Sequence, residues 1–413
     1  MSKKIKQLAR QLGDGWKLRR TLRQASTLNF VFSERIDFLN GQHWDRLAEP
    51  RGLLMSRDYW RALEQSGLAD FEVRYAMAYR DGVPVAAAAM QLLAVSLETM
   101  HAHPGPRAEG SLRAALAQNI KPRLRQRLLV CGNMLSYGLD GVAFAAELDP
   151  QTRWQAVAEI LYRIRRAEKL NGQIDFVLVK DLDPAALEDS RALGKLSYSM
   201  LETEPNMVLP LAEDWRVYED YLAGMTSKYR SGIRQQIFKP IEAAGCEIGV
   251  MTPEQVDAQA ERMQQLYLAV QDNATLRPVT VTADYWRRMA ALGPERAELR
   301  GLWRDGDLLG FLLVLKDGAE VTAAQIGFDR AAAKALPLYL RLLHTAIESA
   351  LAAGGRRVIF GRTALEPKAR MGCQPLPTTL WIRHRQPVLN SLIRNRFGIV
   401  HHDEAPAINP FKK

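Results

Sequence analysis

The sequence of 413 residues has little of what marks disulfide-bonded or metal-binding proteins. Its three cysteines, Cys131, Cys246 and Cys373, lie far apart and form no CxxC pair. An odd number of dispersed cysteines in a chain of this length argues against a disulfide framework and favours three free thiols. The seven histidines include no pair at convincing ligand spacing, so the sequence predicts no metal site.

Long apolar runs are missing as well. No run reaches the roughly 18 residues of a membrane-spanning helix, and the basic N-terminus lacks the apolar core of a signal peptide. We therefore expect a cytoplasmic protein. The sequence contains no HExxH, Walker, GxGxxG or G-x-S-x-G motif. This argues against zinc proteases, P-loop NTPases, dinucleotide-binding enzymes and serine hydrolases.

What the chain does contain is an ordinary globular composition with a basic excess. Hydrophobic residues make up 47% and charged residues 25%, and the length suits two domains of about 200 residues. The formal charge of +10 favours anionic partners such as coenzyme phosphates, RNA or an acidic membrane surface, although solubilising charge explains it equally well. Residues 1–23 mix basic and apolar side chains and predict at most a weak contact with a membrane surface.

A short pattern occurs twice, which indicates internal duplication. Asp-Tyr-Trp-Arg stands at 58–61 and again at 284–287, each two residues after a Ser or Thr that can cap a helix. About 20 residues later each copy carries Arg-Asp-Gly, at 80–82 and at 304–306. Asp-Gly between two apolar runs is a strong signal for a β-hairpin.

Each copy continues with a strand, a helix and a further strand. This order predicts a mixed α/β fold with two tandem domains, each a mixed central sheet flanked by helices. We predict a basic N-terminal segment, a first domain with an exposed insertion, a linker, a second domain and a C-terminal tail. Their bounds are 1–29, 30–205 with the insertion around 97–126, 206–211, 212–385 and 386–413.

That order of elements resembles the Gcn5-related acyltransferase (GNAT) fold, and two copies in one chain resemble the FemAB and FemX-like transferases. The K-x-R-x-x-x-R pattern within 226–234 and the Phe-Gly-Arg-Thr sequence at 360–363 carry the local likeness. The resemblance covers roughly 30–385. It implies transfer of an acyl or aminoacyl group to an amine, without a permanently bound cofactor. In one respect the chain departs from the family: residues 330–337 lack the glycines of the acetyl-CoA phosphate loop.

The sequence offers three groups of candidate site residues. Donor phosphates are expected at the start of the helix after the fourth strand of the second copy, where free N–H groups favour anions. The substrate is expected at the basic helix and after the fifth strand, since strand ends face the ligand crevice. The nearest carboxylates are candidate general bases. The donor-binding candidates are Arg330, Lys334, Ala335 and Leu336; the substrate-binding candidates are Lys228, Arg230, Arg234, Arg362 and Lys368; the candidate bases are Glu366 and Asp329.

Many of these residues also have an explanation without a functional role. They can be ordinary charges of a loop or of a solvated basic helix face. The leading hypothesis is an N-acyltransferase with acyl-CoA or acyl carrier protein as co-substrate and a small-molecule or peptide amine as acceptor. A FemAB-like ligase using aminoacyl-tRNA and a non-catalytic double-GNAT binding module are the alternatives. We expect the site in the cleft between the domains, with the second supplying most contacts. The acceptor, the acyl length and the oligomeric state stay open.

Overall fold

The computed structural model describes residues 25–96, 125–271, 279–396 and 405–412. The predicted membrane-contacting segment 1–23 and most of the insertion predicted around 97–126 lie outside these described residues. Among the described residues, no helix has the length and apolar character needed to cross a membrane. The N-terminal and C-terminal halves of the predicted tandem, 30–205 and 212–385, are called the first half and the second half below.

One continuous sheet of 13 strands runs through both halves. Its order is β1-β2-β3-β4-β6-β13-β7-β12-β11-β10-β9-β8, with β5 paired to β3. The strands are β1 (Asn29–Ser33), β2 (Phe71–Arg80), β3 (Val83–Ser96), β4 (Arg125–Cys131), β5 (Val142–Phe144), β6 (Phe176–Leu182), β7 (Ser199–Pro210), β8 (Cys246–Val250), β9 (Ala297–Arg304), β10 (Asp307–Asp317), β11 (Glu320–Phe328), β12 (Arg357–Ile359) and β13 (Gln374–His384).

Helices cover both faces of this sheet. They are α1 (Gly41–Ala48), α2 (Arg57–Glu64), α3 (Pro150–Ala167), α4 (Pro184–Asp189), α5 (Ala192–Lys195), α6 (Tyr218–Gly224), α7 (Ser227–Ile233), α8 (Lys239–Ala243), α9 (Pro253–Gln271), α10 (Ala283–Ala290), α11 (Leu338–Ala352), α12 (Leu365–Arg370) and α13 (Pro387–Arg396). A π-helical turn, Arg234–Phe238, joins α7 to α8. The mixed α/β fold class predicted from the sequence is confirmed.

The two faces have different cores. On one face, α1, α2, α9 and α10 bury a single apolar cluster that spans both halves and is rich in large aromatic side chains such as Trp60 and Trp286. On the other face, α3 packs on the first half and α11 packs on the second, each over its own cluster. A sheet must bury both of its apolar faces. Here one face is covered by a cluster that both halves share, and the other by a separate cluster for each half.

The repeated sequence pattern folds in the same way twice. Ser56 and Thr282 cap α2 and α10, and each hydroxyl accepts a hydrogen bond from a backbone N–H 3.3 Å away. The hairpins β2–β3 and β9–β10 turn at Asp81-Gly82 and Asp305-Gly306, where all four residues have positive φ. Two-residue turns of this kind match the twist of paired strands, which explains the predicted hairpins.

The halves exchange their last strands. β7 ends the first half but pairs with β12 of the second, and β13 ends the second half but pairs with β6 of the first. β7 and β13 also pair with each other, antiparallel. Residues 206–210, predicted as a linker, lie inside β7 and are hydrogen-bonded on both sides. Each half therefore completes the sheet of the other.

Candidate functional site

A cleft opens in the second half where two parallel strands part. β11 and β12 pair only from Glu320↔Arg357 to Thr322↔Ile359. Beyond that point β11 runs on to Phe328 with β10 as its one paired neighbour. The chain after β12 turns towards β7, and the N–H of Phe360 donates to the Met207 carbonyl at 2.9 Å. Residues 323–328 and 360–362 thus form the two walls of the cleft.

A β-bulge marks the same point. Leu313 of β10 faces Gln325 of β11, and Val314 faces Ala323, so Ala324 is the extra residue. A bulge bends its strand and disturbs the regular ladder, and bulges are frequent beside active sites. Here the bulge lies directly after the last residues that pair β11 with β12. Beyond it, the edge of β11 that faces β12 no longer pairs with that strand.

The loop from β11 to α11 ends at an uncapped helix. Asp329 accepts hydrogen bonds from the N–H groups of Ala331 and Ala332, at 2.9 and 3.0 Å, and pairs with Arg262 at 2.9 Å. These contacts lower the pKa of Asp329 below its usual value. The N-cap of α11 is Pro337, and no side chain caps the helix. Its free N–H groups and dipole favour an anion.

The corresponding cleft in the first half is filled by its own chain. β4 and β6 pair in parallel up to Cys131↔Val179 and then part. The first half has a nine-residue insertion, 132–140, where the second half has the one-residue bulge. The insertion lies opposite Ala89 of β3, which is hydrogen-bonded to Gly132 and Gly141 at its two ends. We call this segment the 132–140 loop. Lys180 donates to the Ser136 carbonyl at 3.0 Å and the Gly138 N–H donates to Asp181 at 3.3 Å.

The 132–140 loop also reaches the second half. A β-carbon at Gly361 would lie 2.3 Å from the ring carbon Cζ of Tyr137, so only glycine fits beside this ring. Gly361 has φ 71°, which also favours glycine. The Gln325 side chain donates to the Leu135 carbonyl at 3.0 Å and accepts from the Tyr285 hydroxyl at 2.9 Å. The loop therefore lines the cleft of the second half.

Arg362 does not stand free in the cleft, because it pairs with the buried Asp181 of the first half. The two residues hold equivalent positions in their halves. Asp181 stands two residues before Asp183, the N-cap of α4, and Arg362 stands two residues before Ala364, the N-cap of α12. Burial alone would raise the pKa of Asp181, but Lys180 and Arg362 hold it below its usual value. Lys180 lies 2.5 Å from the same carboxylate. Equivalent strand ends are thus joined by a buried ion pair.

Lys368 is 3% exposed and holds the end of β12 in place. Its ammonium group donates to the carbonyls of Phe360 and Arg362 at 2.8 and 2.7 Å, and to that of Gly361 at 3.3 Å. An ammonium has three donors, so all of them are used. Burial lowers the pKa of Lys368 to about 8. The structure therefore places this predicted substrate ligand in a supporting position behind the cleft wall.

Two buried polar atoms near this wall have no hydrogen-bond partner among the described residues. They are Oδ1 of Asn206 on β7 and Nε of Arg362. Unpaired buried polar atoms are costly and rare, and a bound ligand is one explanation for them. The sequence analysis did not single out Asn206, Tyr137 or Asp181. Their roles depend on the exchange of strands between halves, which no local motif encodes.

The other predicted residues lie in three places: the loop before α11, α12, and α7 with the π-helical turn after it. Arg330, Lys334, Ala335 and Leu336 lie together in the loop before α11, where Lys334 and Ala335 are exposed. Glu366 pairs with Arg370 at 2.7 Å on the exposed side of α12. Arg234 pairs with Glu219 at 2.6 Å. Within the described part of the chain, Lys228 and Arg230 of α7 form no ion pair. The π-helical turn after α7 approaches the start of α11, where Arg341 lies 4.4 Å from the centre of the Phe238 ring.

A groove of about 1180 Å³ lies along α3 in the first half, between side chains that include Tyr162, Arg165 and Arg383. None of the cleft residues named above lines it. Its volume alone does not make it the reaction site, because it lacks the parted strands and the uncapped helix. Among the described residues, no three His, Cys, Asp or Glu side chains converge as metal ligands would.

The chain is similar to one protein family and to several solved structures. Residues 227–368 match the acetyltransferase (GNAT) domain family. The crystal structure of FemX superposes with a TM-score of 0.55 at 12% identity, over 86% of this chain and 98% of that one. A tandem GNAT protein from the clavulanic acid biosynthesis pathway gives 0.49 at 14%, over 87% and 99%. No curated protein sequence matches the chain.

At these identities the structural matches establish the fold. The likeness to FemX confirms the tandem GNAT fold that the sequence pattern predicts. The domain match confirms a GNAT acetyltransferase domain in the second half, which contains the open cleft. The chain is an enzyme of the acyltransferase type.

Proposed function

We propose that the chain is an N-acyltransferase that takes an acyl group from a thioester, either acyl-CoA or acyl carrier protein, and passes it to an amine in the cleft of the second half. One observation carries this proposal. β11 and β12 part beside the bulge at Ala324, next to the uncapped start of α11. A filled cleft and a capped helix occupy the same places in the first half.

The donor fits this arrangement from its phosphates to its thioester. Free N–H groups at the start of α11, together with Lys334 and Arg330, would bind the phosphates. The pantetheine arm would enter between the parted strands and add to the unpaired edge of β11. A backbone N–H of that edge would donate to the thioester oxygen as it gains charge, and the loss of one such donor costs about 10²–10³ in rate.

The reaction needs no covalent intermediate. The amine nitrogen attacks the thioester carbonyl carbon, the C–S bond breaks, and the thiolate leaves and takes up a proton. The amine loses its proton to water at the mouth of the cleft, because an arginine engages each predicted base, Glu366 and Asp329. Positioning supplies much of the rate, since effective molarities can lower a barrier by about 7–11 kcal/mol.

We place the acceptor beside Arg362 and Asn206. Their buried Nε and Oδ1 atoms supply one donor and one acceptor that no described residue uses. A polar group near the reacting amine would satisfy both atoms. Lys368 supports this subsite by fixing the carbonyls of residues 360–362. A cytoplasmic location, expected from the sequence, suits an enzyme with these co-substrates and stays a prediction.

A second candidate is transfer from aminoacyl-tRNA. Two observations favour it: the likeness of the fold to FemX, and the basic residues Lys228 and Arg230, which form no ion pair within the described ranges. Phosphate contacts would make such binding fall steeply with salt. A non-catalytic binding module is a third candidate, favoured by the missing glycines in 330–337.

Native mass spectrometry of the purified full-length protein separates these candidates. We expect a bound CoA or acyl-CoA species, and stabilisation of the apo protein by added CoA esters in a thermal shift assay. Bound tRNA that dissociates when salt is raised would instead assign the aminoacyl reaction. A bare mass without any response to CoA esters or tRNA would exclude acyl-CoA and aminoacyl-tRNA as donors and favour acyl carrier protein as the donor or the binding module.

A further inference from the structure

The 132–140 loop approaches the open cleft from one particular face of the sheet. Leu135 is buried in the apolar cluster under α1, α2, α9 and α10, and Met134 packs against the same cluster. α11 belongs to the cluster on the opposite face. A donor whose phosphates rest at the start of α11 therefore passes between the parted strands with its acyl end directed towards this loop.

Tyr137 is the side chain of this loop that reaches the wall of the second cleft. Its hydroxyl oxygen would lie 2.7 Å from a β-carbon at Gly361, on the wall formed by residues 360–362. Arg362 and Tyr339, the latter in the first turn of α11, both interact electrostatically with the phenol. Burial raises the pKa of Tyr137 above its usual value. Among the described residues its hydroxyl has no hydrogen-bond partner.

The loop that carries Tyr137 is fixed at both ends. Before it, Oδ1 of Asn133 accepts from the Leu135 N–H and from the Gln91 side chain, both at 2.9 Å. After it, the Gly138 N–H donates to the buried Asp181. Buried polar networks of this kind rigidify the segment that they hold. The backbone on both sides of Tyr137 is therefore held in place.

Resting on the proposed thioester reaction, we infer that Tyr137 closes the acyl end of the second cleft and restricts the donor to short acyl groups. A rigid ring at the end of a cleft acts through its volume, as pocket walls do in enzymes that select by substrate size. The first half, whose own cleft is filled, thereby sets the substrate range of the second. The phenol oxygen is not required for this role.

The experiment compares donor binding to the full-length wild-type protein and to Tyr137→Ala and Tyr137→Phe. The dissociation constants of acetyl-CoA and octanoyl-CoA are measured by isothermal titration calorimetry, which needs no knowledge of the acceptor. We expect wild type to prefer acetyl-CoA and Tyr137→Ala to shift the ratio of the two constants at least tenfold towards octanoyl-CoA. Tyr137→Phe keeps the ring and should behave as wild type.

A matched control is Tyr162→Ala, which removes a half-exposed tyrosine of α3 outside the cleft and should leave the ratio unchanged. An unchanged ratio in Tyr137→Ala overturns the inference, and so does an equal shift in Tyr137→Phe, which would point to the hydroxyl. If neither ester binds to wild type or to any variant, acyl-CoA is not the donor, and the inference falls with it. Should Tyr137→Ala fail to fold, Tyr137→Leu, which retains more of the buried apolar volume, is measured in its place with the same expectation.

Discussion

The two halves differ most at the place where their architectures are most alike. Both have a parallel strand pair that parts, and both follow it with a helix. The first half fills the gap with the 132–140 loop, whereas the second has only the bulge at Ala324. Both halves thus have the same scaffold, but only the second has an open cleft. The loop that fills the first cleft forms part of the wall of the second.

The N-termini of α3 and α11 differ as the clefts do: the one in the first half is occupied and the one in the second is free. The N-cap of α3 is Asp149, whose carboxylate accepts from the Thr152 N–H at 2.9 Å. That contact lowers the pKa of Asp149, so a negative charge already occupies the anion-binding end of the helix. Pro337 leaves the corresponding end of α11 without a cap. The comparison predicts that only the second half binds donor phosphates.

The largest effect is expected at the contact that joins the halves. Asp181→Ala leaves Lys180 and Arg362 near each other without the carboxylate that pairs with both. Removal of one partner from a buried ion pair costs about 3–5 kcal/mol. We expect a loss of this size in the free energy of unfolding, measured by urea denaturation. As a control, Glu366→Ala breaks the exposed pair with Arg370 and should cost at most about 1 kcal/mol.

The pH dependence of that effect follows from the sign of the pKa shift. The folded state holds the pKa of Asp181 below its usual value of about 3.9. The stabilisation is therefore present above that value and is lost as the pH falls through the lower, folded-state pKa. The difference in free energy between wild type and Asp181→Ala should shrink in acid. A difference that stays constant down to pH 2 would contradict the shift.

The next effect concerns the uncapped helix. Pro337→Asp places a carboxylate where we expect donor phosphates and gives α11 the kind of cap that α3 has. CoA affinity, measured by isothermal titration calorimetry, should fall at least tenfold, or about 1.4 kcal/mol. Stability should stay constant or rise by up to about 1 kcal/mol, because aspartate is a good N-cap. Unchanged affinity in a folded variant would remove this helix from the donor site.

Much of this fold could be predicted from the sequence because it depends on local signals. The repeated Asp-Tyr-Trp-Arg helices, the Asp-Gly turns and the apolar strands each follow from neighbouring residues. The predicted crevice after β12 is also where Arg362 and Lys368 lie. The sequence could not indicate that both residues are engaged, Arg362 by a carboxylate 181 positions away and Lys368 by three backbone carbonyls.

The parts that the sequence did not predict arise from contacts between the halves. Tyr137 lies in a stretch without a recognisable motif, and its place beside Gly361 depends on a loop that crosses from one half to the other. The exchange of β7 and β13 has a similar cause: Asn206–Pro210 has the sequence of a plain extended segment, and only pairing with β12 and β13 makes it a central strand.

The smallest expected effect tests the filled half directly. Asp149→Ala removes the cap of α3 and should cost about 1 kcal/mol of stability in thermal or urea denaturation. Because the 132–140 loop still fills the first cleft, CoA affinity should stay as in wild type. Pro337→Asp and Asp149→Ala thus change equivalent helix starts but affect different quantities. The first should lower CoA affinity, and the second should lower stability. An increase in CoA stoichiometry in Asp149→Ala would mean that the first half retains a donor site closed only by its cap.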